Sequence, residues 1–175
     1  GGVTFDKTPP DIPQFTYVSD NSNLATRAKT GDVITTTMKG DEPLADLTLT
    51  VGGNNVTETA VGGKLDSVWT AEYTMLTGDA EGPVSLVFDY KDYAGNLGTT
   101  KNSTTDDAII TFDKTTPTLS TVTIASNNRY DNAKAKVGDE ITISIVASEN
   151  LISTPTVSIL GNSATVAQGG SASQW

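Results

Sequence analysis

The chain contains no cysteine and no histidine. Without cysteine it has no disulfide, no thiolate nucleophile and no thiolate metal ligand. Without histidine it has no Ser-His-Asp triad and no histidine-ligated metal centre. Acidic pairs such as Asp41-Glu42 and Asp106-Asp107 stand in threonine- and asparagine-rich stretches, where solvated loop acids are the simpler interpretation. We therefore expect a protein that is not an enzyme.

Positive charge is also scarce. The 11 lysines and arginines stand against 21 acidic residues, which gives a formal net charge of −10. Phosphate backbones are bound by clusters of lysine and arginine, so we expect no nucleic-acid partner. No stretch is long and apolar enough to cross a bilayer, and we expect no membrane insertion in this segment. An acidic surface attracts divalent cations where carboxylates converge.

Aromatic residues make up 6% of the chain and charged residues 18%, and threonine, serine, asparagine and glycine fill the difference. Threonine is β-branched and favours extended backbone. Apolar residues alternate with polar ones, as in Ile34, Thr36 and Met38, and this period of two predicts strands with one buried face. Clusters such as Gly-Gly-Asn-Asn separate these runs and predict turns. The composition therefore predicts an all-β protein.

The chain repeats itself with a period of about a hundred residues. Val3–Pro10 reads VTFDKTPP, and Ile110–Pro117 reads ITFDKTTP, 107 residues later. Gly31-Asp32 recurs as Gly138-Asp139 at the same offset. The match of Trp69 to Trp175 has an offset of 106, so the register shifts by one residue in between. Several matches at one offset indicate a tandem repeat.

This period has the size of one immunoglobulin-like sandwich, with about seven strands in each repeat. Residues 1–5 then form the last strand of a preceding repeat, residues 6–112 a complete repeat, and residues 113–175 the first part of the next. We expect the second repeat to be incomplete. Its missing strands belong either to a longer chain or to a neighbouring molecule.

Three motifs follow one another within a repeat. They are Phe-Asp-Lys-Thr-Pro-Pro at the boundary between repeats, Ala147-Ser-Glu149 at a strand end, and Asp92-Tyr-Ala-Gly95-Asn96 before a last strand. In this order they resemble the bacterial immunoglobulin-like tandem repeat domains of large cell-surface adhesins. The resemblance implies an extracellular rod of sandwiches on the cell surface. Its partners would be the neighbouring immunoglobulin-like repeats of the same chain, with an unknown surface ligand bound through regions outside this segment. It also implies calcium at some joints.

Calcium prefers six to eight oxygen ligands, and the loops of such a sandwich supply them. The entry linker, the B–C loop and the F–G loop meet at one end of an immunoglobulin-type sandwich. At the other end Asp113 is expected near the loops that carry Asp32, Asp79 and Glu81, and it also heads the next repeat, near Glu149. The candidate calcium ligands are Asp6 in the entry linker, Glu42 in the B–C loop, Asp89, Asp92 and Asn96 in the F–G loop, and Asp113. A second interpretation stays open, in which these residues only stabilise turns, because no EF-hand loop is present.

Other features leave further alternatives open. Asn55 and Asn102 stand in N-glycosylation sequons, and Tyr90 and Tyr93 are placed in the F–G loop as ligand-contact candidates. We expect a structural spacer whose joints are stiffened by proline, as at Pro9-Pro10, and by calcium. One alternative is an immunoglobulin-like module that binds a glycan or a host surface. The other is a self-assembling filament subunit completed by a neighbouring chain.

Overall fold

A computed structural model describes residues 2–63 and 67–175. Within these ranges every regular element is a β-strand. The prediction of an all-β protein is therefore confirmed. The chain divides into two compact units, Gly1–Lys114 and Thr115–Trp175.

The first unit contains ten strands among its described residues. They are β1 (Gln14–Ser19), β2 (Arg27–Ala28), β3 (Val33–Lys39), β4 (Leu44–Val51), β5 (Asn54–Val56), β6 (Glu58–Ala60), β7 (Val68–Thr74), β8 (Gly82–Pro83), β9 (Leu86–Asp92) and β10 (Thr111–Phe112). One sheet has the order β1-β3-β7-β6, and a second has the order β5-β4-β9. All pairs in these two sheets are antiparallel. A small third sheet, β2-β10-β8, includes a parallel pair between β10 and β2.

The two larger sheets pack face to face through their alternating apolar residues. In β3 the buried positions are Ile34, Thr36 and Met38, as the period of two predicts. The rings of Phe15 in β1 and Phe88 in β9 lie 5.6 Å apart, which places a contact between the two sheets at the centre of the core. The result is a β-sandwich-like unit with one continuous apolar core.

One glycine is required by this core. Tyr90 is buried and stacks on Phe88 with ring centroids 5.1 Å apart. A Cβ at Gly98 would lie 2.0 Å from the Tyr90 ring, so only glycine lets the backbone approach this closely. Burial, followed by the charges of Asp11 and Asp41, raises the pKa of Tyr90 to about 12.

The second unit has four strands: β11 (Leu119–Ser126), β12 (Ile141–Ala147), β13 (Ser158–Ile159) and β14 (Asn162–Ser163). In β11 and β12, Val122 pairs with Ile145. In β1 and β3 the residues 107 positions earlier, Phe15 and Met38, pair in the same way. The register of the two strand pairs is therefore the same in both units.

The connection that follows the first strand also has the same hydrogen bonds in both units. The Asp32 carboxylate accepts hydrogen bonds from Lys29 Nζ at 2.8 Å, from the Lys29 amide at 2.8 Å and from Asn21 Nδ2 at 2.6 Å. The Asp139 carboxylate accepts the corresponding bonds from Lys136 Nζ, the Lys136 amide and Asn128 Nδ2 at 2.6, 2.9 and 2.9 Å. Each of these residues lies 107 positions after its counterpart. The matched residues of the sequence repeat thus make the same strand pairing and the same hydrogen bonds in the two units.

Candidate metal centre

Three carboxylates of the first unit come together at one end of the sandwich. Asp6 lies in the extended segment before β1, Glu42 in the connection from β3 to β4, and Asp92 at the end of β9. One oxygen from each of the three lies within 4.8 Å of the others. It is the one such acidic group found among residues 2–63 and 67–175. We call it the acidic triad.

The strand pattern explains why Asp92 faces inward. Phe88, Tyr90 and Asp92 occupy alternate positions of β9, and all three are buried. Asp92 pairs with Leu44, which is the first residue of β4 and lies two positions after Glu42. The alternation that fills the core therefore also directs a carboxylate toward the connection from β3 to β4.

Asn96 holds the Asp92 carboxylate in place. Its amide donates to Asp92 Oδ1 at 2.8 Å, and its side-chain Nδ2 donates to Asp92 Oδ2 at 2.7 Å. The same Nδ2 donates to the Asp6 carbonyl at 3.4 Å, which ties the entry segment to this turn. Gly95 has φ of +93°, a left-handed conformation that suits glycine and closes the turn. The sequence motif Asp92–Asn96 is thus a turn that also orients one member of the acidic triad.

The triad concentrates negative charge. Burial raises the pKa of Glu42, and the charges of Asp6, Asp92 and Asp41 raise it further. Burial works in the same direction on Asp92. However, hydrogen bonds from the Asn96 side chain and from the amides of Asn96, Gly95 and Ala94 outweigh it and hold the Asp92 pKa below its ordinary value. In the described part of the chain, no lysine or arginine forms an ion pair with the three acids.

The oxygen donors of the acidic triad suit a hard divalent cation. Three carboxylates offer up to six oxygens, and the Asp6 carbonyl accepts a hydrogen bond from the same Asn96 Nδ2 that binds Asp92. Ca²⁺ takes six to eight oxygen ligands. A bound dication would offset the repulsion that raises the Glu42 pKa. The residues present therefore fit calcium by ligand type and charge.

Two other predicted ligands lie elsewhere. Asp89 is an outward-facing residue of β9, is exposed, and accepts a hydrogen bond from the Thr100 hydroxyl. The strand alternation places it on the face opposite Asp92, so its placement in the F–G loop is wrong. Asp113 is exposed just after β10, and its amide donates to the Ala28 carbonyl at 2.8 Å. Neither residue belongs to the acidic triad.

Of the acids expected near Asp113, Asp32 and Asp79 are engaged in their own connections, whereas Glu81 binds the residue that follows Asp113. Asp79 accepts hydrogen bonds from the Tyr73 hydroxyl at 3.0 Å and from the Leu76 amide at 2.7 Å. Glu81 accepts one from the Lys114 amide at 2.9 Å. Asp32 accepts the bonds from its own loop described above. For Asp32 and Asp79 the turn-stabilising interpretation accounts for the hydrogen bonds from Lys29 and Leu76.

The two tyrosines differ. Tyr90 is a core residue of β9 that is 2% exposed, so its placement in a loop as a contact residue is wrong. Tyr93 is 55% exposed. Both sequon asparagines, Asn55 and Asn102, are exposed, and Asn55 lies in β5.

Two sets of contacts were not predicted from the sequence. Asp11 pairs with Lys101 at 3.0 Å, a contact across 90 residues that leaves no trace in local pattern. Hydrogen bonds from the Lys101 side chain and the Ile12 amide lower the Asp11 pKa. The roles of Asn21 and Asn128 were also missed, although their offset of 107 matches that of Gly31-Asp32 and was available as a signal.

Comparison with protein-family models, with curated proteins and with solved structures finds no match for this chain. Among the described residues, no helix is long and apolar enough to cross a membrane.

Proposed function

We propose that this chain is a structural spacer in an extracellular surface fibre or adhesin, with tandem immunoglobulin-like repeats and no catalytic role. The observation that carries the proposal is that the same set of hydrogen bonds to one aspartate occurs in two consecutive units. Asp32 with Lys29 and Asn21, and Asp139 with Lys136 and Asn128, make the same bonds at an offset of 107 residues. Repetition of one structural unit along a chain adds length, which is what a spacer requires.

The strand order supports the immunoglobulin-like assignment. An immunoglobulin constant-type sandwich has strands A, B, E and D in one sheet and C, F and G in the other. Here β1, β3, β7 and β6 match the first sheet in order, and β4 and β9 match C and F. The segment after β9 forms bridges through Leu97 and Lys101 to β9, at the position of strand G.

The end of the first unit suits a load-bearing role. In β10 and β2, which are parallel, the Thr111 amide donates to Thr26 O at 3.0 Å and the Asp113 amide to Ala28 O at 2.8 Å. Tension that pulls β2 from its N-terminal side and β10 from its C-terminal side slides parallel strands past each other and loads these bonds together. Lys114 adds an anchor, since its Nζ donates to the carbonyls of Thr77 and Asp79 at 2.9 and 2.8 Å.

The entry segment supports a stiff, calcium-bound joint. Pro9-Pro10 fixes two φ angles and Pro10 is buried. Asp6, just before it, belongs to the acidic triad, and its Oδ1 accepts a hydrogen bond from the Thr8 amide at 2.9 Å. A cation that binds Asp6 together with Glu42 and Asp92 would link this segment to two loops of the sandwich.

The test is to stretch the whole chain between its two ends in a single-molecule force experiment. A spacer repeat should unfold in one cooperative event that releases roughly 350 Å of chain, at about 3.3 Å per residue over the repeat length. Calcium should raise the unfolding force relative to a chelator, and magnesium should not, because Mg²⁺ demands a tighter octahedral site.

Two variants form a matched pair. Asp6→Asn removes a triad carboxylate and should abolish the calcium effect, whereas Asp89→Asn, an exposed acid outside the triad, should keep it. Unfolding without a distinct force event would refute the spacer role. A calcium effect that survives in Asp6→Asn would refute the metal centre and leave the spacer role standing.

A further inference from the structure

A groove of about 600 Å³ lies in the first unit between β5 of one large sheet and β6 and β7 of the other. We call it the side groove. Its walls carry hydroxyl, amide and carboxylate groups, which come from Asn55, Thr57, Thr59, Thr70, Glu72 and Thr74. All six residues are exposed or half-buried. The groove therefore offers polar groups to solvent or to a ligand.

The edge of β7 beside the side groove is unpaired at its end. β6 pairs with β7 no further than Ala71. The Met75 amide donates to the Asp32 carbonyl at 2.9 Å, on the side of β7 that β3 occupies. Since backbone groups point to alternate sides along a strand, those of Glu72 and Thr74 point away from β3, where none of the described strands pairs with them. They present directional donors and acceptors to the groove.

A row of threonines leads from the groove across the outer face of the same sheet. Thr16 pairs with Thr37, Thr37 with Thr70, and Thr70 with Thr59. Alternate positions of these strands, such as Met38, are buried, so the four threonines lie on the face away from the core. Neighbouring strands lie about 4.8 Å apart, which makes this threonine row roughly 14 Å long. Its last two members, Thr70 and Thr59, also line the side groove.

The lining of the groove restricts the class of ligand. Glu72 is acidic, and no lysine or arginine lines the groove among the described residues, so an anionic ligand would be repelled. An apolar ligand would bury the hydroxyls and the free backbone groups without hydrogen-bond partners. An added β-strand would find only Glu72 and Thr74 on the free edge, whereas strands typically have about five or six residues.

A neutral saccharide meets each of these conditions. Its hydroxyls both donate and accept, as the mixed groups of the groove require. The Glu72 carboxylate can accept hydrogen bonds from two of them, while the backbone amides and the Asn55 side chain donate to others. The threonine row continues the same chemistry without charge and is long enough for a short oligosaccharide.

We propose that the side groove is a binding site for a neutral oligosaccharide, which extends from the groove along the threonine row. The site shares no residue with the acidic triad and does not include Tyr93. It goes beyond the spacer role, because it gives the repeat a ligand of its own, and it requires neither calcium nor load.

The experiment presents the whole 175-residue chain to an array of neutral oligosaccharides, acidic oligosaccharides and unmodified extended peptides. The chain is produced in a host without N-glycosylation, so that Asn55 stays unmodified. Capture by at least one neutral oligosaccharide is expected. Capture by the acidic oligosaccharides alone, capture by the peptides alone, or no capture would each overturn the proposal.

Two variants and an NMR titration then locate the site with the captured neutral oligosaccharide. Glu72→Ala should weaken binding about tenfold, because hydrogen bonds to a charged group contribute at least this much. Asp89→Ala makes the same charge change at an exposed residue of β9, outside the groove, and should bind like the wild type. The amide signals of Thr70, Glu72 and Thr74 should shift on binding.

Thermal unfolding checks that both variants keep the fold, which is expected because both acids are exposed. Equal affinity of Glu72→Ala and the wild type would overturn the proposal. NMR shifts confined to residues outside the side groove and the threonine row would also overturn it and would place the saccharide elsewhere on the chain.

Discussion

At the residue scale, the ionisation of Glu42 links the acidic triad to the stability of the fold. Its pKa is raised above the ordinary value of 4.5 by burial and by Asp6, Asp92 and Asp41. The folded state therefore keeps the Glu42 proton to higher pH than the unfolded chain does. By linkage, the free energy of unfolding falls as pH rises from about 4.5 through the raised pKa, and stays lower above it.

We therefore predict that Glu42→Gln stabilises the protein at neutral pH when no divalent cation is present. The amide keeps the size of the side chain and removes its charge, so the melting temperature in chelator at pH 7 should rise by about 3 °C. The gain should shrink toward pH 4, where the wild-type carboxyl is protonated. Thermal unfolding at several pH values measures it.

The matched control is Glu72→Gln, an exposed glutamate of β7 in the same unit. It should change the free energy of unfolding at pH 7 by less than about 0.5 kcal/mol. A Glu42→Gln protein that is less stable than wild type at pH 7 in chelator would contradict the repulsion argued for the triad.

At the scale of elements, the connection between β1 and β3 depends on one buried carboxylate. The Asp32 side chain is 8% exposed and accepts bonds from Lys29 and Asn21. Burial alone would raise its pKa, but the hydrogen bonds from Lys29 and Asn21 and the lysine charge together lower it. Its contribution to stability is therefore present above its ordinary pKa of 3.8 and is lost as pH falls.

We predict that Asp32→Asn costs about 2 kcal/mol of unfolding free energy, because an amide offers one acceptor oxygen where the carboxylate offers two. Chemical denaturation at pH 7 measures the loss. Asp46→Asn is the matched control, since the Asp46 side chain is 75% exposed and its ion pair with Lys91 lies at the surface. The control should lose less than about 1 kcal/mol. Equal losses of unfolding free energy in the two variants would show that the hydrogen bonds to Asp32 do not stabilise the fold.

Strands were the most predictable elements because burial on one face imposes a period of two. The apolar positions of β3 and β9 could be predicted in this way from Ile34, Met38, Leu86 and Phe88. The same rule was not followed far enough along β9. It puts Tyr90 inward and Asp89 outward along β9, whereas both residues had been placed in the F–G loop.

The acidic triad was predictable only in part. Asp6, Glu42, Asp92 and Asn96 follow from placing the entry segment and two loops at one end of the sandwich. Asp113 was expected at the other end of the sandwich, and it lies just after β10, outside the triad. The close approach of Gly98 to Tyr90 is also invisible in sequence, because it joins backbone and ring across a turn.

At the scale of the whole molecule, the first unit contains a core that is complete in itself. The core cluster runs from Ile12 to Phe112 and includes residues from both large sheets. A repeat that is stable without its neighbours lets a spacer vary in length, because each unit then folds independently of the number of units.

We therefore predict that residues 1–114 fold as an isolated fragment. Its unfolding should be cooperative, and its midpoint in denaturant should match that of the first unit in the whole chain. A fragment that ends at Thr111 provides the control, because it lacks Phe112, which is 1% exposed, and the anchor made by Lys114. By analogy with the removal of a buried phenylalanine, this shorter fragment should lose about 4 kcal/mol. If residues 1–114 fail to unfold cooperatively, the first unit needs the rest of the chain to fold, and a spacer built from autonomous repeats is ruled out.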